Sequence, residues 1–238
     1  MLNGYYTLNI TRKEFENKIR KSAIKFKVGG FRPEESLTAS WIGNVTVKGI
    51  NESWPESNGK PMIPICQLNL AQLPIRPNNL KDIELITLFV DSNELPDGKP
   101  NGQGWLIRTY KNINGLEEIE KPAVDFPIKP FQLKPEVIDN DFPCWEDCPI
   151  EVPGEFDDDY HNLFTNIEGI KIGGWPTLVQ SEILWAPFNQ HPAEPEFVLQ
   201  IDSIEKANWY WGDNGVAYIG RGTKPKTKED WTFSWQCY

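Results

Sequence analysis

The fold is decided by residues 171–215, which contain KIGGWPTLVQ (171–180), FVLQIDS (197–203) and WGDNG (211–215). Gly173 and Gly174 can adopt positive φ angles and Pro176 fixes its own φ, so the first stretch predicts a turn. The alternation in FVLQIDS predicts a strand, and WGDNG predicts a second turn because it combines glycine, aspartate and asparagine. A further strand is predicted in the GVAYIGRG that follows. The order turn, strand, turn, strand is typical of a β-rich scaffold.

A helix is predicted near the start of the chain. Thr11 and Glu14 have the spacing of a capping box, in which each side chain accepts a hydrogen bond from the backbone N–H of the other residue. Phe15 and Ile19 follow on one face among lysines and arginines, so we expect an N-terminal amphipathic helix.

The rest of the chain predicts more strands and an internal duplication. Alternating or continuous apolar runs predict strands at residues 23–28, 65–70, 84–91, 105–110 and 231–238. The segments around Gln67 and Gln200 share an apolar-Gln-apolar core, so we expect these glutamines to be equivalent and hydrogen-bonded to the backbone of a turn. The sequence therefore predicts one α+β domain, residues 1–238, with β-rich mixed sheets and two related halves, 22–119 and 160–238.

Residues 120–159 are predicted to link these halves. Seven prolines lie between Glu120 and Gly154, which argues against a central strand or a helix interior. We therefore expect an irregular, acidic, proline-rich segment here.

The negative charge of the protein is concentrated in this segment. The net charge is −10, and residues 135–159 contain ten carboxylates without any lysine or arginine, while the other 24 acidic residues are balanced by 24 basic ones. Such a field repels nucleic acid and attracts basic partners, although a solvated loop would have the same composition. The candidate partner surface consists of Glu146, Asp147, Glu151, Glu155, Asp157, Asp158 and Asp159.

A second candidate site is a pocket with aromatic walls. Polar side chains in apolar strand motifs must be hydrogen-bonded, and they either tie turns to the sheet or converge on a ligand. The candidate pocket residues are Trp175, Gln180, Gln200, Asp202, Trp211 and Asp213.

The sequence predicts no catalytic residue, cofactor or metal site. It lacks a phosphate loop and a nucleophile elbow, and consecutive carboxylates beside His161 are more typical of a solvated surface than of a metal site. Four cysteines at this length suit free thiols. No apolar run of signal-peptide or membrane-helix kind occurs, so we expect a soluble cytoplasmic protein that does not contact a membrane.

Together these motifs resemble the YwqG-like family of bacterial proteins of unknown function. The resemblance is carried by NGKPMIPICQLNLAQLP, KIGGWP, the Leu-Gln-Ile-Asp-Ser core, WGD-x-G and the terminal Gln-Cys-Tyr. It implies a β-rich α+β fold with two related halves, a cytoplasmic location and an association with secreted toxins, for which such proteins would serve as immunity proteins. SWIGNV in the first half departs from the pattern, because it lacks the Gly-Gly pair and the proline.

Three functions fit these observations. The first is a non-enzymatic binding protein, such as an immunity protein, whose acidic surface holds a basic protein such as a toxin. The second is a small-ligand pocket protein lined by Trp175 and Trp211, and the third is a carboxylate-dependent hydrolase. We favour the first, because the charge distribution supports it directly.

Overall fold

The protein is described by a computed structural model that covers residues 10–96, 98–185, 190–227 and 229–238. Its strands are β1 (Lys21–Val28), β2 (Trp41–Ile42), β3 (Val47–Lys48), β4 (Glu56–Ser57), β5 (Lys60–Pro61), β6 (Ile63–Asn69), β7 (Leu85–Val90), β8 (Trp105–Tyr110), β9 (Glu117–Glu118), β10 (Phe131–Asp141), β11 (Lys171–Gly173), β12 (Pro195–Asp202), β13 (Val216–Gly222) and β14 (Trp231–Gln236). Its α-helices are α1 (Arg12–Ile19), α2 (Gly154–Asp157) and α3 (Tyr160–Leu163). The prediction of a β-rich fold is confirmed.

One sheet contains ten of these strands, in the order β14-β13-β12-β11-β1-β10-β2-β6-β7-β8. β3 pairs with β9 and β4 pairs with β5 in two small additional sheets. Every strand pair within the described residues is antiparallel, so the prediction of mixed sheets is wrong. Successive strands at both ends of the sheet, β6-β7-β8 and β12-β13-β14, pair with each other as antiparallel meanders.

The strands that were predicted from continuous apolar runs form the core. β6 and β7 are buried along their whole lengths, which confirms the prediction of a central strand at residues 84–91. β13 is buried along its whole length as well. A single apolar cluster joins these strands to β12 and β14, so both ends of the sheet share one core.

The two edge strands of the sheet approach each other. The ring centroids of Trp105 in β8 and Phe233 in β14 are 5.4 Å apart. Trp235 Nε1 in β14 donates a hydrogen bond of 2.6 Å to the carbonyl oxygen of Pro96. The sheet is therefore nearly closed around its core.

The segment that was predicted to be irregular contains a central strand instead. β10 spans residues 131–141 and lies between β1 and β2, so the interpretation of residues 120–159 as an irregular linker is wrong for this part. Pro135 is in register with Phe26 of β1. Proline is tolerated here because of the direction in which its ring nitrogen points.

Backbone groups alternate in direction along β10. The Leu133 N–H donates to the Ser40 carbonyl on the β2 side, whereas the Gln132 carbonyl accepts from Gly29 N–H on the β1 side. Because of this alternation, the nitrogen of Pro135 points away from β1 and toward the β2 side. On that side β2 pairs with Phe131 and Gln132 and does not extend to Pro135. No ladder hydrogen bond is lost at Pro135.

Helix α1 packs on a small apolar cluster outside the sheet. The Thr11 hydroxyl accepts from Glu14 N–H at 3.3 Å, and the Glu14 carboxylate accepts from Thr11 N–H at 2.8 Å. The cluster contains Phe15, Ile19, Phe142, Phe156, Tyr160 and Phe164.

Of the helices in the described part of the chain, none has the length and apolar character needed to cross a membrane.

All four cysteines are free, as the composition predicts. Burial raises the pKa of the Cys66 thiol and of the Cys144 thiol. Because the thiolate is the reactive form, burial makes both side chains less reactive than an exposed cysteine.

The position of β10 predicts opposite tolerance of proline at two neighbouring residues. Glu136→Pro removes an N–H that points toward β1, so we expect it to lower the free energy of unfolding by roughly 2–3 kcal/mol. Pro135→Ala should change it by about 1 kcal/mol or less. Urea unfolding of both variants measures the difference, and equal tolerance of the two changes would show that β10 is not a ladder strand.

Candidate functional site

A cavity of about 570 Å³ opens beside the first residue of β1 and the turn that follows β11. Its walls combine three aromatic rings with three carboxylates, those of Trp175, Trp185, Phe197, Asp147, Glu182 and Glu196. Among the lining residues in the described part of the chain, Lys21 is the only lysine or arginine. The cavity is therefore aromatic and acidic, with one resident cation.

Lys21 places its ammonium group on the face of Trp175. Its Nζ atom is 3.3 Å from the ring centroid, the geometry of a cation–π contact. Burial lowers the pKa of Lys21, while the negative charges of Asp147 and Glu196 oppose this effect. The carboxylates thus favour a positive charge at this position.

Trp175 is fixed by two hydrogen bonds. Its Nε1 donates to the carbonyl oxygen of Ile19 at 2.7 Å, and its backbone N–H donates to Asp141 Oδ2 at 2.8 Å. The first bond joins the ring to the end of α1, and the second joins its backbone to the end of β10. The wall of the cavity is thereby tied to two separate elements.

Asp141 forms a buried ion pair with Lys171. Both side chains are inaccessible to solvent, and Lys171 Nζ lies 3.1 Å from Asp141 Oδ2. Asp141 Oδ1 also accepts from the backbone N–H of Ile167 at 2.8 Å. Burial lowers the pKa of Lys171, and the charge of Asp141 opposes that shift. A buried carboxylate is tolerated here because it has a charged partner and two backbone donors.

The Gly173-Gly174 pair makes room for this carboxylate. Both residues have positive φ angles, +71° and +68°. A Cβ atom on Gly174 would lie 2.0 Å from Asp141 Oδ2, so only glycine fits at this position. The turn that the sequence predicted is thus specified by an ion pair as well as by backbone conformation.

Gln200 and Asp202 form a second polar network. Gln200 Oε1 accepts from the backbone N–H of Thr177 at 2.7 Å, and Gln200 Nε2 donates to Asp202 Oδ1 at 2.7 Å. Asp202 Oδ2 accepts from the backbone N–H of Gly169 at 2.6 Å. Burial raises the pKa of Asp202 to about 6 despite these bonds. The network holds the loops on both sides of β11 against β12.

The other predicted pocket residues lie apart from this network. Gln180 is exposed and donates from Nε2 to the Cys237 carbonyl at 2.6 Å. Asp213 is exposed in the turn before β13. Trp211 is fully buried and packs against Trp209 and Phe233. Of the six candidates, Trp175 is the one that lines the cavity, and Gln200 and Asp202 contact each other.

Sequence reasoning missed most of the cavity. Lys21 and Glu196 lie at the starts of β1 and β12, about 175 residues apart in the chain, so no local pattern joins them. Asp147 was predicted only as part of the acidic surface. Lys171 stands in the KIGGWP motif, and an isolated lysine before a Gly-Gly turn was the one available signal for a buried ion pair.

The acidic segment, defined as residues 145–159, is mostly exposed. Glu146, Glu151, Glu155, Asp157, Asp158 and Asp159 are exposed, whereas Asp147 is half-buried and lines the cavity. Burial raises the pKa of Asp147, and the charge of Lys21 opposes that shift. Asp157 accepts from Trp145 Nε1 at 2.6 Å, and Asp159 accepts from Asn162 Nδ2 at 2.6 Å.

The described residues contain no group of three or more histidine, cysteine, aspartate or glutamate side chains placed to hold a metal ion. His161 is exposed beside the Tyr160 ring. His191 Nδ1 accepts a hydrogen bond of 3.1 Å from the Ala193 N–H. Neither histidine therefore belongs to a group of possible metal ligands.

The close approach of Asp141 to Gly174 predicts a specific glycine requirement. Gly30 has a φ of +76° with nothing near its Cβ position, so Gly30→Ala should cost only the conformational strain of about 1–2 kcal/mol. Gly174→Ala should cost roughly 4 kcal/mol, because it also displaces Asp141 from the buried ion pair. Urea unfolding measures both variants. Equal losses would mean that the Asp141 contact contributes nothing to the requirement.

Comparison with known proteins places most of the chain in one family. The model of a domain of unknown function, DUF1963, matches residues 46–237. This range includes the KIGGWP turn, Asp141, Lys171, Gln200 and Asp202, whereas α1 and β1 precede it. A comparison with curated proteins gives no match. Because the match covers most of the sequence, the chain belongs to the DUF1963 family.

Proposed function

We propose that this protein is a non-enzymatic binding protein that holds a basic partner through the acidic segment. The observation that carries the proposal is the exposure of its carboxylates. Six of the seven candidate side chains face solvent, and no side-chain nitrogen of a described lysine or arginine lies within 4.0 Å of a carboxylate oxygen of the seven. Their charge is therefore available to an external partner.

The segment is anchored rather than free in solution. Phe156 and Tyr160 are buried in the apolar cluster with Phe15, and Cys148, Ile150 and Val152 pack against that cluster. The Tyr160 hydroxyl also donates to the Pro143 carbonyl at 3.2 Å. An acidic surface that is already ordered loses less conformational entropy on binding than a flexible loop does.

An exposed aromatic ring lies in the same segment. Trp145 is 44% exposed, although its indole N–H is bonded to Asp157. Tryptophan is enriched among the side chains that contribute most to protein interfaces. Trp145 and the surrounding carboxylates together suit a protein partner better than an inorganic cation.

A toxin with a basic surface is the partner that we propose, and the protein would then act as its immunity protein. This identity rests on the YwqG-like resemblance of the motifs, and the charge of the segment supplies its physical basis. We place the protein in the cytoplasm, where free thiols such as Cys66 and Cys237 persist.

We also infer that the two halves arose by duplication and exchanged their first strands. The sheet has the same arrangement from either edge, since β8-β7-β6-β2 is followed by β10 and β14-β13-β12-β11 is followed by β1. The register agrees as well, because Trp41 pairs with Gln67 as Lys171 pairs with Gln200. Under this inference the second half begins at β10, whereas the sequence predicted that it begins at residue 160.

The equivalent glutamines support the duplication further. Gln67 Oε1 accepts from Thr46 N–H at 2.9 Å, and Gln200 Oε1 accepts from Thr177 N–H at 2.7 Å. Lys27 of β1 pairs with Lys134 of β10, so an approximate two-fold axis would pass between these lysines. An experimental structure in which such a rotation fails to bring Gln67 onto Gln200 would rule the inference out.

The proposed function predicts a salt-dependent association that the acidic segment controls. We expect the triple variant Asp157→Asn, Asp158→Asn, Asp159→Asn to bind a lysine- and arginine-rich peptide more slowly than the wild type at low salt, with a weaker dependence on salt. Asparagine keeps the side-chain oxygens that accept from Trp145 and Asn162, so stability should change by about 1 kcal/mol or less. Stopped-flow measurements at several ionic strengths test this.

A matched control separates local from overall charge. Glu35, Glu118 and Glu205 are exposed outside the acidic segment, and changing all three to glutamine alters the net charge equally. We expect this control to retain most of the wild-type association rate. If the two triple variants slow association equally, the segment is not the binding surface.

A further inference from the structure

We infer that the cavity beside Trp175 is a binding site for a lysine or arginine side chain of the partner, and that Lys21 occupies this site in the free protein. The inference rests on the proposed function and adds which kind of partner side chain the cavity binds. It follows from the lining of the cavity, the contacts of Lys21 and the connection to the acidic segment.

The lining is suited to an organic cation. The face of Trp175 carries negative electrostatic potential, and Asp147, Glu182 and Glu196 supply negative charge around it. The volume of about 570 Å³ lies within the range of roughly 300–1,000 Å³ that is usual for ligand pockets. A flexible cationic side chain buries its stem against aromatic walls and presents its charge to carboxylates.

Lys21 shows directly that an ammonium group fits. Its Nζ atom sits 3.3 Å from the Trp175 ring centroid. This ammonium group makes no hydrogen bond, and no ion pair within 4.0 Å, to any residue in the described part of the chain. The Lys21 ammonium group is therefore held by the Trp175 ring and by carboxylates farther away. Its movement away from the ring breaks no hydrogen bond to a described residue.

The charges around the cavity favour a cation on the Trp175 ring. Three carboxylates face one lysine, so the lining has an excess of negative charge when Lys21 is present. A partner's guanidinium or ammonium group that displaces Lys21 from the ring would keep a positive charge against these carboxylates. An arginine could also stack on an indole ring while it bonds to a carboxylate, since its planar group allows both contacts.

Asp147 connects the cavity to the acidic segment. It belongs to that segment and also lines the cavity, while Glu146 and Asp157 are exposed nearby in the sequence. A basic partner that approaches the acidic segment thus meets the cavity at its border. The exposed carboxylates would act on the association rate, and the cavity would retain one side chain of the docked partner.

The test uses a small probe, so that it does not depend on the partner surface as a whole. The probes are N-acetyl-lysinamide, N-acetyl-argininamide and the uncharged N-acetyl-norleucinamide, titrated into the ¹⁵N-labelled full chain. The indole N–H resonance of Trp175, identified by its loss in Trp175→Phe, reports binding. We expect both cationic probes to shift this resonance and the uncharged probe to leave it unchanged.

Two variants should change the affinity in opposite directions. Lys21→Met keeps a stem of similar length and vacates the cation position, so it should tighten binding of the cationic probes roughly tenfold. Asp147→Asn should weaken binding severalfold, whereas Glu205→Gln removes the same charge outside both the cavity lining and the acidic segment and should have little effect. Thermal melting of each variant confirms that it is folded.

The outcomes also separate this inference from the proposed function. Unchanged affinity in Lys21→Met, equal effects of Asp147→Asn and Glu205→Gln, or equal binding of the uncharged probe would each overturn the cation site. None of these results alters the salt-dependent association that the triple variant tests. Conversely, loss of that association with intact probe binding would overturn the acidic surface and leave the cavity chemistry in place.

Discussion

The buried carboxylate of Asp141 is the constraint on which the site depends. It accepts backbone hydrogen bonds from Ile167 and Trp175 and pairs with the ammonium group of Lys171, with no exposure to solvent. One side chain thus joins the end of β10 to the residues before and after β11. Its oxygen occupies the space that a Cβ on Gly174 would need, which explains why the turn is built from glycine. A buried ion pair of this kind is costly unless every partner is present, so we expect it to fix one geometry more than it adds stability.

Of the two ends of the sheet, only the one that contains β11 has this constraint among the described residues. Both contain a glutamine that accepts from the backbone after a short strand, and Gly43 and Gly173 share a φ of +71°. However, Trp41 occupies the register position that Lys171 has, so the first part lacks the charged partner. The cavity with Trp175 and Lys21 accordingly lies beside the part that contains the ion pair. The same register position therefore holds the cation of a buried ion pair at one end of the sheet and an indole ring at the other.

Local patterns in the sequence predicted the strands, the capped helix and the turn residues, because apolar periodicity and glycine conformations act over a few residues. The positions of β7 and β14, for example, follow from ELITLFVD and WTFSWQCY. The central place of β10 could not be predicted, since Pro135 is acceptable only where its nitrogen points away from a partner strand. The contact between Lys21 and Trp175 could not be predicted either, because it depends on how distant strands pair. Asp141 was visible only as one of ten acidic residues, and its burial became apparent from the structure.

The central claim is that Asp141 and Lys171 act as one unit that holds the site together, and a double-mutant cycle tests it most directly. Urea unfolding gives the free energies for Asp141→Asn, Lys171→Met and the double variant. Each single change leaves a buried group without its partner and should cost about 3–5 kcal/mol. The double variant should cost clearly less than the two single losses together, with a coupling energy of about 2 kcal/mol or more. Additive losses, or single losses below about 1 kcal/mol, would contradict the account.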